Sequence, residues 1–178
     1  MRHASLIPHP AGPCPNLLGI DVRVAVQPGG ELALTYTLSG AVSGLVIPGP
    51  TTPDRRDALW RHTCFEAFIM AGDGPGYREF NFSPSGEWAA YAFQGYRDGS
   101  PLEPAPKPTL VCRAGDSALE LEARLTRAVL PPGARLHLGL SAVLEHTNGT
   151  LSYWALRHPV DKPDFHHTGG FVLELERA

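Results

Sequence analysis

Two segments in the middle of the chain decide the fold: residues 60–70, WRHTCFEAFIM, and residues 77–93, YREFNFSPSGEWAAYAF. Side chains along both segments alternate at a period of two, which is typical of β-strands. The glycine-rich loop 71–76 separates the segments, and residues 84–86, Pro-Ser-Gly, fit a three-residue hairpin turn within the second. We therefore predict three consecutive antiparallel strands, at about 63–70, 77–83 and 87–94.

These two turns also predict which side chains share a face of the sheet. The first places Glu66 opposite Asn81 and Phe68 opposite Glu79. The second places Glu79 opposite Tyr91. One face is then apolar and is predicted to be core: Phe65, Ala67, Ile69, Phe80, Phe82 and Trp88. The other face mixes rings with carboxyl and amide groups: Cys64, Glu66, Phe68, Tyr77, Glu79, Asn81, Tyr91 and Phe93.

The remainder of the chain is predicted to be strands joined by turns. Alternating or apolar stretches predict further strands at 20–26, 32–38, 45–47, 110–112, 119–125, 136–144, 151–156 and 171–175. Eighteen prolines and nineteen glycines are spread along the 178 residues, and no segment has a helical period. The pattern predicts an all-β fold, an antiparallel β-sandwich or jelly roll of about 10–11 strands with little or no helix.

Proline-rich stretches mark two segments outside the predicted strands. Residues 1–18 contain four prolines and are predicted to form an extended N-terminal arm, followed by a single domain at 19–178. Residues 95–108 are predicted to be a proline-rich excursion between strands.

Composition excludes several classes of protein. A net charge of −3 without a basic stripe argues against nucleic-acid binding. No run approaches the roughly 18 apolar residues of a membrane span, and the N-terminus lacks the apolar core of a signal peptide. Cys14, Cys64 and Cys112 are odd in number and lack CxxC spacing. We expect a soluble cytoplasmic protein with free thiols.

The mixed face predicted for the central strands has the chemistry of a sugar site. Aromatic rings stack on the apolar face of a pyranose, while carboxyl and amide groups hydrogen-bond its hydroxyls. Two alternatives remain open. Glu66 and Asn81 would form a buried, satisfied polar pair in one. Glu66 and Glu79 would act as the acid and base of glycoside chemistry in the other.

The loop 157–169, RHPVDKPDFHHTG, is the second concentration of polar side chains. Its histidines and carboxylates would suit zinc or non-haem iron, or the loop would cover the sheet face. Trp154, just before it, is either a stacking ring or a core residue. Haem ligation by Met70 and a histidine of this loop is a further alternative, non-covalent because no CxxCH motif is present.

Four segments carry a resemblance to a known family: residues 60–68, 77–91, 152–156 (SYWAL) and 163–166 (PDFH). From about residue 20 to 175 the chain resembles a bacterial group of DOMON-like domain proteins, which is similar in turn to carbohydrate-binding module family 9. The resemblance implies a β-sandwich whose relatives bind sugars or haem in a pocket on one sheet. Sugar-binding relatives clamp the ligand between two tryptophans, for which Trp60 and Trp154 are the candidates. Haem-binding relatives use a methionine and a histidine, and Met70 is the interior methionine here.

We therefore predict a non-catalytic module that binds a small ligand, a carbohydrate, with no resident cofactor or metal. The alternatives are a haem or metal protein, or a metal-dependent enzyme, that uses the loop 158–167, and a protein-interaction module. The predicted ligand-binding residues are Trp60, Glu66, Glu79, Asn81, Tyr91, Trp154, His158, Asp164 and His166.

Overall fold

The computed structural model describes residues 1–12, 17–72 and 74–177. The strands among these residues are β1 (Arg2–Pro8), β2 (Leu17–Val26), β3 (Leu32–Gly40), β4 (Cys64–Ala71), β5 (Tyr77–Phe82), β6 (Trp88–Gly95), β7 (Asp98–Pro101), β8 (Thr109–Ala114), β9 (Ala118–Leu125), β10 (Arg135–Glu145), β11 (Leu151–Ala155) and β12 (Leu173–Glu176). Short 3-10 turns lie at Val42–Gly44, Leu59–Arg61, Arg127–Val129 and Thr168–Gly170. No helix in the described ranges is long and apolar enough to cross a membrane.

The strands form one antiparallel path that folds over itself at β1. The first sheet has the order β1-β2-β3-β9-β8, and the second runs β7-β6-β5-β4-β10-β11. Residues 2–6 of β1 pair with β2, whereas Ile7 and Pro8 pair with β11 of the second sheet. The chain is thus a β-sandwich in which β1 belongs to both layers.

The core lies between the two sheets. Its largest fully buried side chains include Tyr36 from the first sheet and Phe65 and Phe82 from the second. The rings of Tyr36 and Phe65 lie 5.1 Å apart, and the Tyr36 hydroxyl donates a 2.8 Å hydrogen bond to the Glu66 carbonyl. Residues that alternate with the core along β4, β5 and β6 therefore point to the opposite, outer face of the second sheet.

A long connection leaves the middle of this sheet and covers its outer face. One edge of β10 pairs with β4, while the other edge pairs first with β12 and then with β11. Residues 156–172 connect β11 to β12 and therefore start and end near the centre of β10. We call this segment the covering loop.

The fold class and the registers predicted from the turns are confirmed. Glu66 pairs with Asn81, Phe68 with Glu79, and Glu79 with Tyr91. Gly86 adopts a left-handed φ of 92°, as the three-residue hairpin requires, and Ser83 N–H donates to the Glu87 carbonyl across it. All six residues predicted to be core on these strands belong to the main apolar cluster.

Three local predictions differ from the structure. Residues 45–47 are not a strand, because only Leu45 forms a bridge, to His146. The proline-rich excursion contains a strand, β7, which extends the sheet beyond β6. Residues 2–8 of the predicted arm are extended but lie within the sandwich as β1. The count in the described ranges is twelve strands, one more than the upper end of the prediction.

The thiols differ in their surroundings. Cys64 is buried and Cys112 half-buried, and neither forms a disulfide. Cys14, Pro13 and Pro15 lie outside the described residues.

Candidate functional site

A cavity of about 560 Å³ lies between the outer face of the second sheet and the covering loop. We call it the outer-face cavity. Strands β4, β5, β6, β10 and β11 form its floor, and residues 57–60 and 163–166 form its walls. Its lining residues are Asp57, Ala58, Trp60, Glu66, Phe68, Glu79, Tyr91, Phe93, Arg97, Val143, Tyr153, Pro163, Phe165 and His166.

The covering loop is fastened to the turn between β6 and β7. The Arg97 guanidinium donates to Asp164 Oδ1 at 3.0 Å, and the Tyr96 hydroxyl donates to Oδ2 at 2.7 Å. The backbone N–H of His166 also donates to Asp164, at 3.2 Å. Burial opposes ionisation of Asp164, but the hydrogen bonds from Tyr96 and Arg97 together lower its pKa. Asp164 thus holds the loop over the cavity as a charged anchor.

His166 lies in a cage of aromatic rings at one end of the cavity. Its ring centroid is 5.0–5.9 Å from those of Phe68, Tyr77 and Phe93. Tyr77 and Phe93 stack at 4.7 Å with an angle of 7° between their planes. Because the cage is apolar, burial lowers the pKa of His166 to about 4, and the positive charge of Arg97 adds to the shift. His166 is therefore neutral at physiological pH.

The hydrogen bonds of the cage are compatible with one neutral tautomer of His166. The Tyr77 hydroxyl accepts from the Arg97 backbone N–H at 3.1 Å, so its own proton is free to be donated to His166 Nδ1 at 2.9 Å. A neutral imidazole that accepts at Nδ1 carries its proton on Nε2. His166 Nε2 lies 3.7 Å from Glu79 Oε2. In this tautomer the imidazole N–H points towards the Glu79 carboxyl.

Two buried carboxyl groups form the polar centre of the floor. Burial raises the pKa of Glu66 well above its usual value, and the negative charge of Glu79 raises it further. The Glu66 carboxyl accepts a long hydrogen bond of 3.4 Å from Ser141. Burial also raises the pKa of Glu79 to about 7, against the opposing effects of the Asn81 hydrogen bond and the Arg97 charge. Near neutral pH, Glu79 is therefore close to half ionised.

Asn81 supports this centre from below. Its side-chain Nδ2 donates to Glu79 Oε1 at 2.8 Å. Its Oδ1 is buried and has no hydrogen-bond partner among the described residues. The polar group of carboxyls and amide therefore has more acceptors than donors. The predicted alternative of a fully satisfied buried pair between Glu66 and Asn81 does not match this arrangement.

The rim of the cavity carries an exposed tryptophan and a carboxylate. Leu59 anchors a 3-10 turn against Cys64 and Ala89, so that Trp60 next to it is held at the rim with 48% of its surface exposed. The Tyr91 hydroxyl donates to Asp57 Oδ1 at 2.7 Å, and burial together with this carboxylate raises the pKa of Tyr91.

Of the nine predicted ligand-binding residues, the cavity brings together Trp60, Glu66, Glu79, Tyr91 and His166. Asn81 lies beside them without lining the space, and Asp164 holds the loop from outside. Trp154 does not face the cavity: it lies in the main core, with its indole N–H donating to Ser152. His158 lies elsewhere, bonded to the Ile7 carbonyl and edge-on to His9.

Several lining residues escaped prediction because of their position in the chain. Tyr153 and Trp154 are neighbours along β11, so only one of the two rings can face the cavity. Tyr153 pairs with Val143, which lies on the outer face, and therefore Tyr153 is the ring that faces the cavity. That register follows from the turn at 148–149, which was available in the sequence. Arg97, Pro163 and Phe165 lie in a turn and a loop, and no periodic pattern indicates their direction.

The histidines and carboxylates suggested for a metal are not brought together. His158 and Asp164 have separate partners, and the part of the chain that the structure describes contains no cluster of three His, Cys, Asp or Glu suited to a metal. Met70 packs against the aromatic cluster formed by Phe68, Tyr77 and Phe171.

Known structures with this fold include carbohydrate-binding proteins. A protein from Bacteroides uniformis ATCC 8492, described as a "putative carbohydrate-binding protein", aligns with a TM-score of 0.69 over 99% of this chain and 86% of its own, at 16% identity. A carbohydrate-binding module of family 9 from Caldicellulosiruptor kristjanssonii, in complexes with glucose and with cellotriose, aligns with a TM-score of 0.51 over 89% of this chain at 7% identity. The alignment covers 75% of the module's own chain in the glucose complex and 74% in the cellotriose complex. At these identities the likeness concerns the fold.

Neither the protein-family models nor the curated proteins compared with this sequence match it.

Proposed function

We propose that this chain is a DOMON-like ligand-binding module that binds a carbohydrate, without catalysis, in the outer-face cavity. The observation that carries the proposal is the composition of this cavity. It combines exposed or half-exposed rings with buried carboxyl groups and a neutral histidine in a space of about 560 Å³. Ligand sites of this size are usually concave, mostly apolar and furnished with a few convergent polar groups.

Apolar contact in the cavity would come from rings on three sides. Trp60 stands at the rim, Tyr91 and Phe93 belong to the floor, and Tyr153 and Phe165 approach from the other side with centroids 6.2 Å apart. Rings of this kind cover the C–H face of a pyranose. Sugar-binding structures of the same fold support the choice of ligand class.

Polar recognition would come from groups whose protonation states differ. Burial raises the pKa of Glu66 and so favours its protonated form, which can donate, whereas an ionised Glu79 accepts. The imidazole of His166 offers a further polar partner, with Nε2 3.7 Å from Glu79. Hydroxyl groups of a sugar both donate and accept, so a mixed set of fixed partners suits them.

The test is a binding screen of the intact protein. Calorimetric titration with a panel of mono- and oligosaccharides, including glucose and cellotriose, should find at least one ligand with a stoichiometry of one. Replacement of Trp60 by Ala should weaken the binding of that ligand by up to about tenfold, since contacts of an aromatic ring typically contribute about 0.5–1.5 kcal/mol beyond the area they bury. The control variant Val111→Ala removes an exposed apolar side chain from the first sheet. An array and titration in which no carbohydrate binds would overturn the proposal.

The paired carboxyl groups favour a second candidate function, acid–base catalysis on a glycoside. Glu66 and Glu79 have separately raised pKa values in one cavity, and such pairs supply the acid and the base in glycosidases. Release of a chromophore from aryl glycosides, abolished in both Glu66→Gln and Glu79→Gln, would establish this activity. If the glycosides bind saturably but are not hydrolysed, the catalytic candidate is contradicted and the proposal of a non-catalytic module stands.

A further inference from the structure

We propose that the carbohydrate bound in the outer-face cavity carries a protonated amino group, which is held between Glu66 and Glu79. This inference rests on the proposed function and specifies its ligand as an amino sugar. It follows from the charges, the hydrogen-bonding groups and the rings of the cavity.

The described lining of the cavity has more acidic than basic side chains. Three carboxyl groups line it, from Asp57, Glu66 and Glu79, and Arg97 is the one guanidinium or ammonium among the described lining residues. Arg97 is already paired with Asp164, a carboxylate outside the cavity, at 3.0 Å. The ionised form of Glu79 therefore has no counter-cation of its own among the described lining residues. A cationic group on the ligand would supply it.

Hydrogen-bond acceptors outnumber donors around the two floor carboxyls. Asn81 is fully buried, donates to Glu79, and leaves its Oδ1 without a partner in the described chain. Glu66, its cross-strand neighbour, is 2% exposed, and its carboxyl accepts from the described residues one long hydrogen bond, from Ser141. The local group thus has a surplus of acceptors. An ammonium brings three N–H donors and no acceptor, whereas a hydroxyl brings one donor together with two further acceptor sites.

Aromatic rings of the same cavity would add to the attraction. Trp60, Tyr91, Phe93 and Tyr153 all line the space in which the carboxyls lie. The face of an aromatic ring attracts a cation by roughly 0.5–2 kcal/mol, depending on how far the site is desolvated. The pyranose ring and its amino group would therefore both find partners.

Ionisation of Glu79 is coupled to its surroundings on every side. The titratable and charged groups that act on it or respond to it are Cys64, Glu66, Tyr77, Tyr91, Arg97 and His166. Of these, Arg97 alone is positively charged at neutral pH, because His166 is neutral. An ammonium in the cavity would thus favour the ionised form of Glu79.

The test compares amino sugars with their parent sugars on the intact protein by calorimetry at about pH 7. Glucosamine and galactosamine should bind at least about tenfold more tightly than glucose, galactose and N-acetylglucosamine, in which the charge is absent. Lowering the pH to about 5 protonates Glu79 and should weaken the amino sugars by about tenfold or more, with little effect on neutral sugars. This comparison needs no variant and so does not depend on the folding of one.

Variants locate the ammonium. Glu79→Gln and Glu66→Gln should each abolish the preference for the amino sugar, whereas Glu122→Gln, which removes a carboxylate from the outer face of the first sheet, should retain it. Equal affinity for amino and parent sugars would overturn the inference and leave the sugar-binding function intact. Binding of cyclohexylamine as tightly as glucosamine, with no binding of neutral sugars, would support the ammonium site and contradict the sugar-binding function.

Discussion

Burial of Glu79 links the stability of the protein to pH. Its pKa of about 7 in the folded chain lies above its usual value of 4.5, so the folded state retains a proton that the unfolded state releases. The stabilisation of the folded state that this retained proton provides is fully present below about pH 4.5. It is lost as the pH rises through about 7. His166 acts in the opposite sense: with a folded pKa of about 4, it destabilises the folded state as the pH falls from about 6.5 to 4.

Because these two effects overlap, the effect of Glu79 is best measured as a difference. Glu79→Gln keeps the shape but cannot titrate. Relative to the original chain, the variant should gain on the order of 3 kcal/mol in free energy of unfolding between pH 4.5 and about 8, since one pKa unit corresponds to 1.36 kcal/mol. Urea denaturation at several pH values measures this. A difference that does not change with pH would contradict the burial assigned to Glu79.

The residue scale also shows which parts of the site the sequence could predict. Glu66, Glu79, Asn81 and Tyr91 lie on three strands joined by short turns, so counting back from each turn was sufficient to place them on one face. His166 could be identified as a polar residue of interest, but its position depends on Tyr77, 89 residues away. Trp154 was predicted to line the site but lies in the core, because its neighbour Tyr153 occupies the outer face of the strand.

At the scale of elements, the covering loop depends on one ion pair. Asp164 receives hydrogen bonds from Tyr96, Arg97 and the His166 backbone. Asp164→Ala removes all three acceptor contacts and should speed proteolytic cleavage within residues 157–170, with a loss of about 1–3 kcal/mol in stability. Ligand affinity should fall as well, because Phe165 and His166 line the cavity.

The same loop provides a matched control for that substitution. Asp161 is exposed and lies only three residues earlier. Asp161→Ala should leave the cleavage rate and the affinity close to those of the original chain. Equal acceleration by both variants would show that the anchor assigned to Asp164 is not what fastens the loop.

A glycine on β10 determines where the covering loop returns to the sheet. A Cβ atom at position 139 would lie 2.5 Å from Phe171 Cδ1, so the Phe171 ring packs directly on the bare backbone. Phe171 in turn stacks on Phe68 at 5.8 Å. Gly139→Ala should therefore cost about 1–3 kcal/mol in unfolding free energy, measured by denaturant titration.

Gly19 is the matched control for this substitution, since it also lies in a strand and a Cβ there would meet nothing within 4 Å. Gly19→Ala should change stability by no more than about 0.5 kcal/mol. Phe171→Leu combined with Gly139→Ala should recover part of the loss. Identical costs at the two glycines would contradict the packing described for Phe171.

Elements of the fold differ in how clearly the sequence indicates them. Strands with one buried face, such as β9, have a strict alternation and were predicted within a residue or two. β1 was not, because Leu6 is the one buried side chain in the strand and prolines follow it closely. β7 is fully exposed and is held by backbone pairing to β6, where Gly99 accommodates the Phe93 ring. Neither strand has the apolar periodicity on which prediction depends.

At the scale of the whole molecule, the sandwich divides its two roles between faces. The space between the sheets is apolar and stabilises the fold, while the outer face of the second sheet carries the carboxyls and the covering loop. This arrangement makes the outer-face cavity accessible without opening the core. Ligand binding should accordingly leave the core packing of Trp88 and Trp154 unchanged.

The distribution of the three tryptophans allows the central claim to be tested in one titration. Trp60 is 48% exposed at the cavity rim, whereas Trp88 and Trp154 are 6% and 4% exposed in the core. Tryptophan fluorescence should therefore change saturably when glucosamine or another bound sugar is added, and the change should disappear in Trp60→Phe but persist in Trp154→Phe. A sugar that binds by calorimetry without any change in fluorescence, or with a change that survives in Trp60→Phe, would contradict binding in the outer-face cavity.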